Sequence, residues 1–157
     1  MPRHHVERLL PYTPDQLFTL VGDVQRYPEF VPWITSLTAT APQPDGATAE
    51  RLDAEATVGF SFLRERFATS VRRDAAARAI EVGLIRGPFK RLSNHWRFEP
   101  AGKGARVIFD IDFAFRTPLL DLMLAANFDR AVSTLITCFE TRAAALYGAP
   151  RVTAEPH

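Results

Sequence analysis

The side chains that could perform acid–base chemistry are few and scattered along this chain of 157 residues. Asp110 and Asp112 are two residues apart, and paired carboxylates on one strand face can act as general acid and base when a pocket encloses them. The residues that alternate with them, Phe109, Ile111 and Phe113, are apolar and are expected to take the buried face. We therefore predict that both aspartates face water.

Histidine and cysteine, the usual metal ligands and nucleophiles, occur at positions that favour neither role. His4 and His5 are near the N-terminus, where we expect them to be exposed, and His95 precedes the apolar Trp96, which places it on the outer face of a strand. Cys138 lies within an apolar helical pattern and is expected to be a small buried hydrophobe. Because HExxH, CxxC, GxSxG and P-loop sequences are absent, we predict no metal site, no catalytic residue and no enzymatic activity.

The composition is that of one soluble globular domain and argues against several classes of protein. Lys and Arg total 19, Asp and Glu total 18, and a formal net charge of +1 argues against a DNA-binding protein. A single cysteine cannot form an intramolecular disulfide and suits a reducing cytoplasm. No apolar stretch approaches the roughly 20 residues of a membrane span, and no signal peptide is visible. We expect a cytoplasmic protein with one domain at residues 1–150 and a disordered tail at 151–157.

The predicted elements follow in a simple order. A first strand leads to a short helix that Thr13 caps and Gly22 ends. Between residues 34 and 115 the hydrophobic period is two, which predicts antiparallel strands joined by short turns. Apolar residues at three- and four-residue steps then predict a long C-terminal helix that begins after Thr117.

This order predicts an α+β fold in which an antiparallel sheet of about seven strands curves around the C-terminal helix. One face of the sheet is apolar and must be covered, and the last helix is the only predicted element long enough to cover it. A curved sheet leaves a wedge of space beside such a helix, and that wedge is the natural place for a ligand.

Aromatic residues are the most informative feature, with twelve Phe, three Tyr and two Trp. Most are expected to pack as core, while some could line a lipophilic cavity. The segment 27–33 concentrates large apolar groups in a loop of the kind that covers a cavity mouth. The aromatic residues predicted on the inner face are Phe67, Trp96, Phe98, Phe109, Phe113, Phe128 and Phe139.

Two further segments favour contact with a partner. Residues 119–126 are apolar almost all round the start of the helix, so one side needs a ligand, a membrane or another subunit. Residues 64–91 contain eight basic and three acidic side chains. That excess indicates either a solvated outer sheet face or a contact surface for anionic lipid or RNA phosphate.

Two motifs resemble those of the coenzyme Q-binding proteins of the START-like superfamily. Residues 23–33 read DVQRYPEFVPW and resemble D-V-x-x-Y-P-x-F-[VL]-P-W. Residues 87–100 read GPFKRLSNHWRFEP and resemble G-P-F-x-x-L-x-x-x-W-x-F-x-P. The resemblance covers roughly residues 3–148. Bacterial ribosome association toxins belong to the same group and share these motifs, so both subfamilies stay open.

The resemblance implies a helix-grip fold with an apolar tunnel, and a non-catalytic role in which the protein binds ubiquinone or a related isoprenoid lipid and supports respiratory electron transfer. The alternative is a translation regulator, the toxin of a toxin–antitoxin pair, that binds the large ribosomal subunit. A polyketide cyclase or aromatase shares the fold, but the scarcity of inward polar residues speaks against an enzyme. Ubiquinone is then a bound ligand, and no cofactor is implied.

The motif positions that the resemblance places at or near the cavity are Tyr27, Phe30, Pro32, Trp33, Pro88, Phe89, Leu92, Trp96 and Phe98. The predicted ligand set adds Phe67, Phe109, Phe113, Leu122, Leu135 and Phe139. Lys90 and Arg91 are expected to meet lipid headgroups at the mouth. With Leu119, Leu120 and Met123 they form the predicted contact with an anionic membrane, which would hold the protein peripherally at the inner membrane.

Overall fold

Eight strands and two α-helices make up the protein in a computed structural model that describes residues 3–60 and 63–148. The expected tail at 151–157 lies outside these residues. The elements in chain order are β1 Arg3–Leu10, α1 Pro14–Gly22, a 3₁₀ helix Val24–Glu29, β2 Ile34–Ala39, β3 Gln43–Pro44, β4 Ala49–Phe60, β5 Leu63–Asp74, β6 Ala79–Arg86, β7 Phe89–Ala101, β8 Gly104–Phe115 and α2 Pro118–Tyr147.

The strands form one antiparallel sheet in the order β1-β8-β7-β6-β5-β4-β2, and the two-residue β3 pairs with β4. From β4 to β8 each strand pairs with the next along the chain, as the short turns between them predict. β1 closes the other side of the sheet by pairing with β8. The predicted α+β fold with about seven strands is therefore confirmed, and β3 is the additional strand.

Local sequence signals account for the ends of α1. Thr13 forms a capping box with Gln16, since the Thr13 hydroxyl accepts from the Gln16 N–H at 3.1 Å and the Gln16 side chain accepts from the Thr13 N–H at 2.9 Å. At the C-terminal end, the Arg73 guanidinium donates to the Gly22 carbonyl at 2.7 Å. A Cβ at Gly22 would lie 3.0 Å from Cδ of Arg73, so the absence of a side chain lets α1 approach β5 closely.

The long helix α2 covers the inner face of the sheet with one apolar stripe. Val132, Ile136, Phe139 and Ala143 recur at three- and four-residue steps and are all buried. Thr117 is the N-cap residue as predicted, although its side chain makes no capping hydrogen bond, and Pro118 occupies the first turn.

The core divides into two clusters along α2. The larger cluster joins α1, the middle of the sheet and the second half of α2, and includes Trp96, Phe98, Phe109 and Phe139. The smaller cluster contains Phe89, Phe113, Phe115, Val132 and Ile136. It lies where β8 ends, because Phe115 is the last residue of β8 and pairs with Phe89. The region between the two clusters is where the inner face is least completely covered.

Candidate ligand-binding site

Strand register arranges the inner-face side chains in rows that run across the sheet. Ile80, Trp96, Phe109 and Val6 are successive partners on β6, β7, β8 and β1. One row further along, the partners are Val82, Asn94, Ile111 and His4. The row after that contains Leu84 on β6 and the pair Leu92 and Phe113 on β7 and β8. Together, these three rows make up the inner face between the larger core cluster and the smaller one.

The first row belongs to a tightly filled region, the closed end, which we define as Ile80, Trp96, Phe98, Phe109 and Phe139. Trp96 lies 4.2 Å from Phe109 and 5.6 Å from Phe139 between ring centroids. All five side chains are buried, and Ile80 retains 1% of its surface. Aromatic pairs at these separations stabilise the fold by more than the burial of their surface area alone. The closed end is therefore a rigid wall.

The segment 27–33, expected to cover a cavity mouth, contributes to the closed end. The Tyr27 and Phe30 rings lie 5.5 and 5.4 Å from Phe139 in edge-on contact. The Tyr27 hydroxyl donates to the Val21 carbonyl, and burial raises the pKa of that hydroxyl. Arg142 of α2 stacks 5.2 Å from the centre of the Phe30 ring and donates to Glu29 at 2.7 Å. These contacts fasten the 3₁₀ helix to α2.

The rows beyond Trp96 are less completely covered, and we call them the open end, defined as Phe67, Val82, Leu84, Leu92 and Ile111. These side chains point toward α2 and pack against one or both clusters, yet each keeps accessible surface. Inward-facing apolar groups that remain accessible line space rather than solid core. The open end is therefore the part of the inner face where apolar side chains stay accessible, which makes it the candidate ligand site.

An aromatic wall bounds the open end on the side away from Trp96. The Phe67 ring lies 5.4 Å from Phe89, and Phe89 stacks on Phe115 at 4.6 Å. Gly87 makes this corner possible, because its φ of +149° is in the left-handed region and a Cβ there would lie 2.5 Å from Cβ of Phe67. The G-P-F motif thus positions Phe89 by letting the backbone pass close to β5.

Besides His4 on β1 and Arg73 beside Ile80, two polar side chains interrupt the apolar inner face. Asn94 lies in the row between Val82 and Ile111, and Thr69 of β5 is 7% exposed and pairs with Leu84. The Asn94 Oδ1 atom is inaccessible to solvent and has no hydrogen-bond partner among the described residues. Asn94 falls within the second motif but occupies one of its variable positions.

The predicted ligand residues are divided between these regions. The closed end holds Trp96, Phe98, Phe109 and Phe139; Phe67 and Leu92 are at the open end; Phe89 is in the aromatic wall; and Phe113 is buried in the smaller cluster beside it. Leu135 packs partly buried against the larger cluster, as do Tyr27 and Phe30. Pro32 is exposed, while Trp33 and Pro88 are half-buried.

The prediction that Leu122 lines the cavity is wrong. Its side chain is 69% exposed, although it lies two heptads before Ile136 and on a similar side of α2, so the sheet does not cover the first turns of the helix there. Leu119 is 63% exposed, which leaves both leucines available for contact outside the fold. The side chains of Leu120 and Met123 lie outside the described residues.

The titratable groups lie mainly on the outer face. Asp110 and Asp112 are on the outer side of β8, and the Arg91 guanidinium donates to Asp112 at 2.9 Å. His5 lies between two carboxylates, 2.8 Å from Glu7 and 2.5 Å from Asp110, which raises the pKa of His5 and lowers that of Glu7. Within residues 3–60 and 63–148, no three His, Cys, Asp or Glu side chains are grouped to hold a metal ion.

The expectation that His4 is exposed is wrong. Strand β1 places it on the inner face opposite Ile111, where it is half-buried with its ring stacked 6.2 Å from that of Phe113. It also contributes to an open groove of about 420 Å³ between β1 and α2, which Val132 and Ser133 line from the helix. His95 is half-buried on the outer face, 3.8 Å from Glu81.

Acidic partners from other parts of the fold lie close to most of the basic side chains at residues 64–91. Arg73 and Glu50 are 2.6 Å apart, and the other pairs are Arg66 and Arg86 with Glu55, Arg72 with Asp45, and Arg78 with Asp15. Lys90 and Arg64 are exposed. Ion pairs therefore offset part, but not all, of the positive charge of this segment.

A family model described as "Polyketide cyclase / dehydrase and lipid transport" matches residues 10–140. The chain belongs to this family. The 18 kDa protein CC1736 from Caulobacter crescentus, a solved structure, is 62% identical, and the comparison covers 95% of this chain and 100% of that chain with a TM-score of 0.80. A START superfamily protein from Mycobacterium smegmatis shares the fold at 19% identity, with a TM-score of 0.77 over 92% of this chain and 98% of that chain.

Curated relatives within this group carry two kinds of name. The ribosome association toxin RatA of Pseudomonas aeruginosa is 37% identical over 147 residues, which cover 92% of this chain and 98% of that protein. The mitochondrial coenzyme Q-binding protein coq10 of Schizosaccharomyces pombe is 34% identical over 122 residues, which cover 76% of this chain and 73% of that protein. Both names describe binding or regulatory proteins, although the family also includes polyketide cyclases. The resemblance drawn from the two motifs is confirmed.

Within this START-like family fold, sequence reasoning missed the division of the inner face into a closed and an open end. Alternation shows which side chains face inward but not how fully α2 covers them. The available signal was Asn94, a polar residue in the inward register of Leu92 and Trp96. A carboxamide at that position marks the place where the apolar core is interrupted.

Proposed function

We propose that the protein binds an isoprenoid quinone such as ubiquinone, or a closely related isoprenoid lipid, at the open end and carries or shields it in support of respiratory electron transfer. The observation that carries this proposal is the set of inward-facing apolar side chains, including Val82, Leu84 and Leu92, that keep accessible surface. The coenzyme Q-binding name of the coq10 relative adds support.

Elementary energetics explain why such a site needs no catalytic group. Each methylene moved from water into an apolar pocket contributes roughly 0.8 kcal/mol, so two or three prenyl units are enough for strong binding. A pocket of the usual several hundred Å³ holds the head and the first units of a long polyprenyl chain, but not the whole chain. The remainder of the tail would protrude, which favours a protein that works at a membrane surface.

The exposed leucines at the start of α2 are suited to that surface contact. Leu119 and Leu122 are each more than half exposed, and they follow directly on the end of β8, where the smaller core cluster lies. We propose that the protein functions in the cytoplasm and docks reversibly at the inner membrane through these side chains and the exposed Lys90. No described helix is long and apolar enough to cross a membrane.

Extraction of the purified protein tests the proposal most directly. Organic extraction followed by mass spectrometry should recover a quinone in an amount comparable with the protein. The matched control is a Leu84→Trp variant, which fills the open end and should be recovered with little or no quinone. Protein that contains no quinone, and that does not take up a short-chain ubiquinone when titrated, would overturn the proposal.

A second candidate function is association with the large ribosomal subunit, and the specific observation that favours it is the RatA relationship over 98% of that protein's length. The pairing of Arg66 and Arg72 with acidic groups reduces the number of outer-face cations available for RNA phosphate. Sedimentation with purified ribosomal subunits tests this function. Salt-resistant co-sedimentation with the large subunit, unaffected by Leu84→Trp, would establish it independently of lipid binding.

A further inference from the structure

Asn94 is the one inward-facing carboxamide in the rows between the closed end and the aromatic wall, as far as the structure describes them. Its neighbours across the sheet are Val82 and Ile111, and its neighbours along β7 on the same face are Leu92 and Trp96. All four are apolar or aromatic. A polar group in such surroundings loses its contact with water and needs a partner to compensate.

The structure supplies no such partner from the protein. Oδ1 of Asn94 is inaccessible to solvent and accepts no hydrogen bond, whereas Nδ2 is not among the buried unpaired atoms of the described residues. The remaining buried orphan atoms, Nε of Arg73 and Nε of Arg142, belong to guanidinium groups whose other nitrogens are paired. Asn94 differs from them because its unpaired atom is the acceptor of a neutral carboxamide.

We propose that the Asn94 carboxamide is the polar anchor of the pocket and donates a hydrogen bond from Nδ2 to a carbonyl or hydroxyl oxygen on the head of the bound lipid. This inference rests on the proposed function and specifies how the ligand is oriented. The chemical class it selects is an isoprenoid lipid with a compact oxygenated ring, because a pure hydrocarbon would cover Nδ2 without accepting its hydrogen bond.

The position of Asn94 also sets the direction of the ligand. The closed end blocks the side of Trp96 and Phe109, so the ligand cannot extend beyond the carboxamide in that direction. On the other side lie Leu84, Leu92 and Phe67, which are apolar and retain accessible surface. The head therefore lies at Asn94, and the isoprenoid tail runs along the open end toward the region where β8 ends and α2 begins.

Thr69 is a second polar group that a ring with two oxygens could reach. It is 7% exposed, lies on the inner face of β5, and has Leu84 as its partner on β6. A Thr69→Val substitution keeps the shape of the side chain and removes the hydroxyl, so it tests whether the ligand contacts a second donor.

The experiment compares two ligands on three proteins. A short-chain ubiquinone is titrated by tryptophan quenching, and an isoprenoid hydrocarbon of the same chain length is measured by displacement of a fluorescent apolar probe. The proteins are the wild type, Asn94→Leu, and the control Ser93→Ala, whose side chain lies on the opposite face of β7. We expect Asn94→Leu to weaken quinone binding about tenfold, the effect of one lost hydrogen bond, while hydrocarbon binding stays equal or becomes tighter.

Two further measurements separate this role from a structural one. Asn94→Leu should unfold at the same or a higher temperature than the wild type, because it replaces an unpaired carboxamide with an apolar group of similar size. In the wild type, the infrared carbonyl stretch of bound quinone should be displaced to lower frequency than in an apolar solvent. This measurement needs no variant and so applies even if Asn94→Leu does not fold.

The outcomes distinguish the inference from the function on which it rests. Equal quinone affinity in wild type and Asn94→Leu, or an undisplaced carbonyl stretch, would overturn the role of Asn94 while leaving quinone binding at the open end intact. A wild-type protein that binds the hydrocarbon but not the quinone would overturn the anchor and change the ligand class. Binding of neither ligand would overturn both proposals.

Discussion

The closed end and the open end are built from the same kinds of residue on the same strands, but they differ in what covers them. At the closed end, Phe139 of α2 and the rings of Tyr27 and Phe30 enclose Trp96 in edge-on contacts. At the open end, Leu84 and Leu92 face the same helix and stay partly accessible. The comparison shows that one amphipathic sheet can be a stabilising core along part of its length and a binding surface along the rest.

The physical source of the difference is the 3₁₀ helix Val24–Glu29. It brings two extra aromatic rings to one end of the sheet, and Arg142 fixes it to α2 through Glu29 and Phe30. A single helix covers only part of the inner face of a sheet with this many strands. The 3₁₀ helix covers the part of the inner face that α2 leaves uncovered at the closed end. At the open end it does not do so.

Truncation of a large side chain should lower the free energy of unfolding much more at the closed end than at the open end, and this is the largest effect that we expect. Phe139→Ala removes a ring that contacts Tyr27, Phe30 and Trp96, and should lower the free energy of unfolding by about 3–5 kcal/mol. Leu84→Ala removes a side chain that is already partly accessible, and should cost about 1 kcal/mol. Urea denaturation measures both values.

Leu146→Ala is the matched control for these truncations, because Leu146 is 51% exposed on α2. It should change the free energy of unfolding by less than about 0.5 kcal/mol. If Phe139→Ala and Leu84→Ala prove equally costly, the open end is ordinary core and the contrast between the two ends does not exist.

Substitution by a larger side chain tests the same difference between the two ends, because it shows which end has room for added atoms. Leu84→Trp has accessible space to enter, and should leave the free energy of unfolding nearly unchanged while abolishing binding of a short-chain ubiquinone. Ile80→Trp enters the closed end at a position that is 1% exposed, and should destabilise the protein by about 1–3 kcal/mol. Thermal melts and quinone titrations of both variants check this prediction. Strong destabilisation by Leu84→Trp would contradict it.

Tryptophan emission should report which end the ligand approaches. Trp96 is two residues from Asn94 on the inner face, whereas Trp33 is half-buried outside the two rows of the open end. Saturable quenching by a short-chain ubiquinone should therefore be reduced most in Trp96→Phe and less in Trp33→Phe. If neither variant alters the quenching, the ligand site lies elsewhere in the molecule.

The sequence permits prediction of the elements and the register more fully than of the site. Period-two alternation from residue 107 to 115 identifies the buried face of β8, and Thr13 with Gln16 marks the start of α1. These features depend on neighbours along the chain. The filling of the inner face depends on how α2 and the 3₁₀ helix meet the sheet, and those contacts join residues as far apart as Glu29 and Arg142.

Surface charge was predicted less well for the same reason. Eight basic residues between positions 64 and 91 suggest a positive face. Their partners Asp15, Asp45, Glu50 and Glu55 all precede that segment in the chain, and the fold alone brings them together. His4 was likewise expected to be exposed, but its pairing with Ile111 turns it inward.

Membrane docking should depend on the exposed start of α2, which adjoins the open end. We expect wild-type protein to float with anionic liposomes at low salt, and Leu122→Asp to reduce flotation without unfolding, since the side chain is 69% exposed. Lys90→Glu should reduce it further, because a base near an anionic surface contributes about 1 kcal/mol, an effect that salt screens. Leu146→Asp, at another exposed position of α2, is the control. Flotation that is unchanged in Leu122→Asp would refute docking through this surface.

The smallest expected effect is a pH dependence at the edge strand β1. Protonated His5 donates to both Glu7 and Asp110, which raises the pKa of His5 above its ordinary value of 6.5. A raised pKa in the folded state means that the interaction stabilises the fold fully below about pH 6.5 and loses that effect as the pH rises through the folded-state value.

The His5→Gln variant should therefore melt at a slightly lower temperature than the wild type at pH 6 and at the same temperature at pH 9. The difference should be small and should shrink with added salt, because the side chains of His5 and Asp110 are 53% and 45% exposed. Combining Glu7→Gln with Asp110→Asn removes both carboxylates, and in that background His5→Gln should have no pH-dependent effect. A difference that persists there, or one that grows toward pH 9, would show that the stabilisation by His5 does not come from these carboxylates.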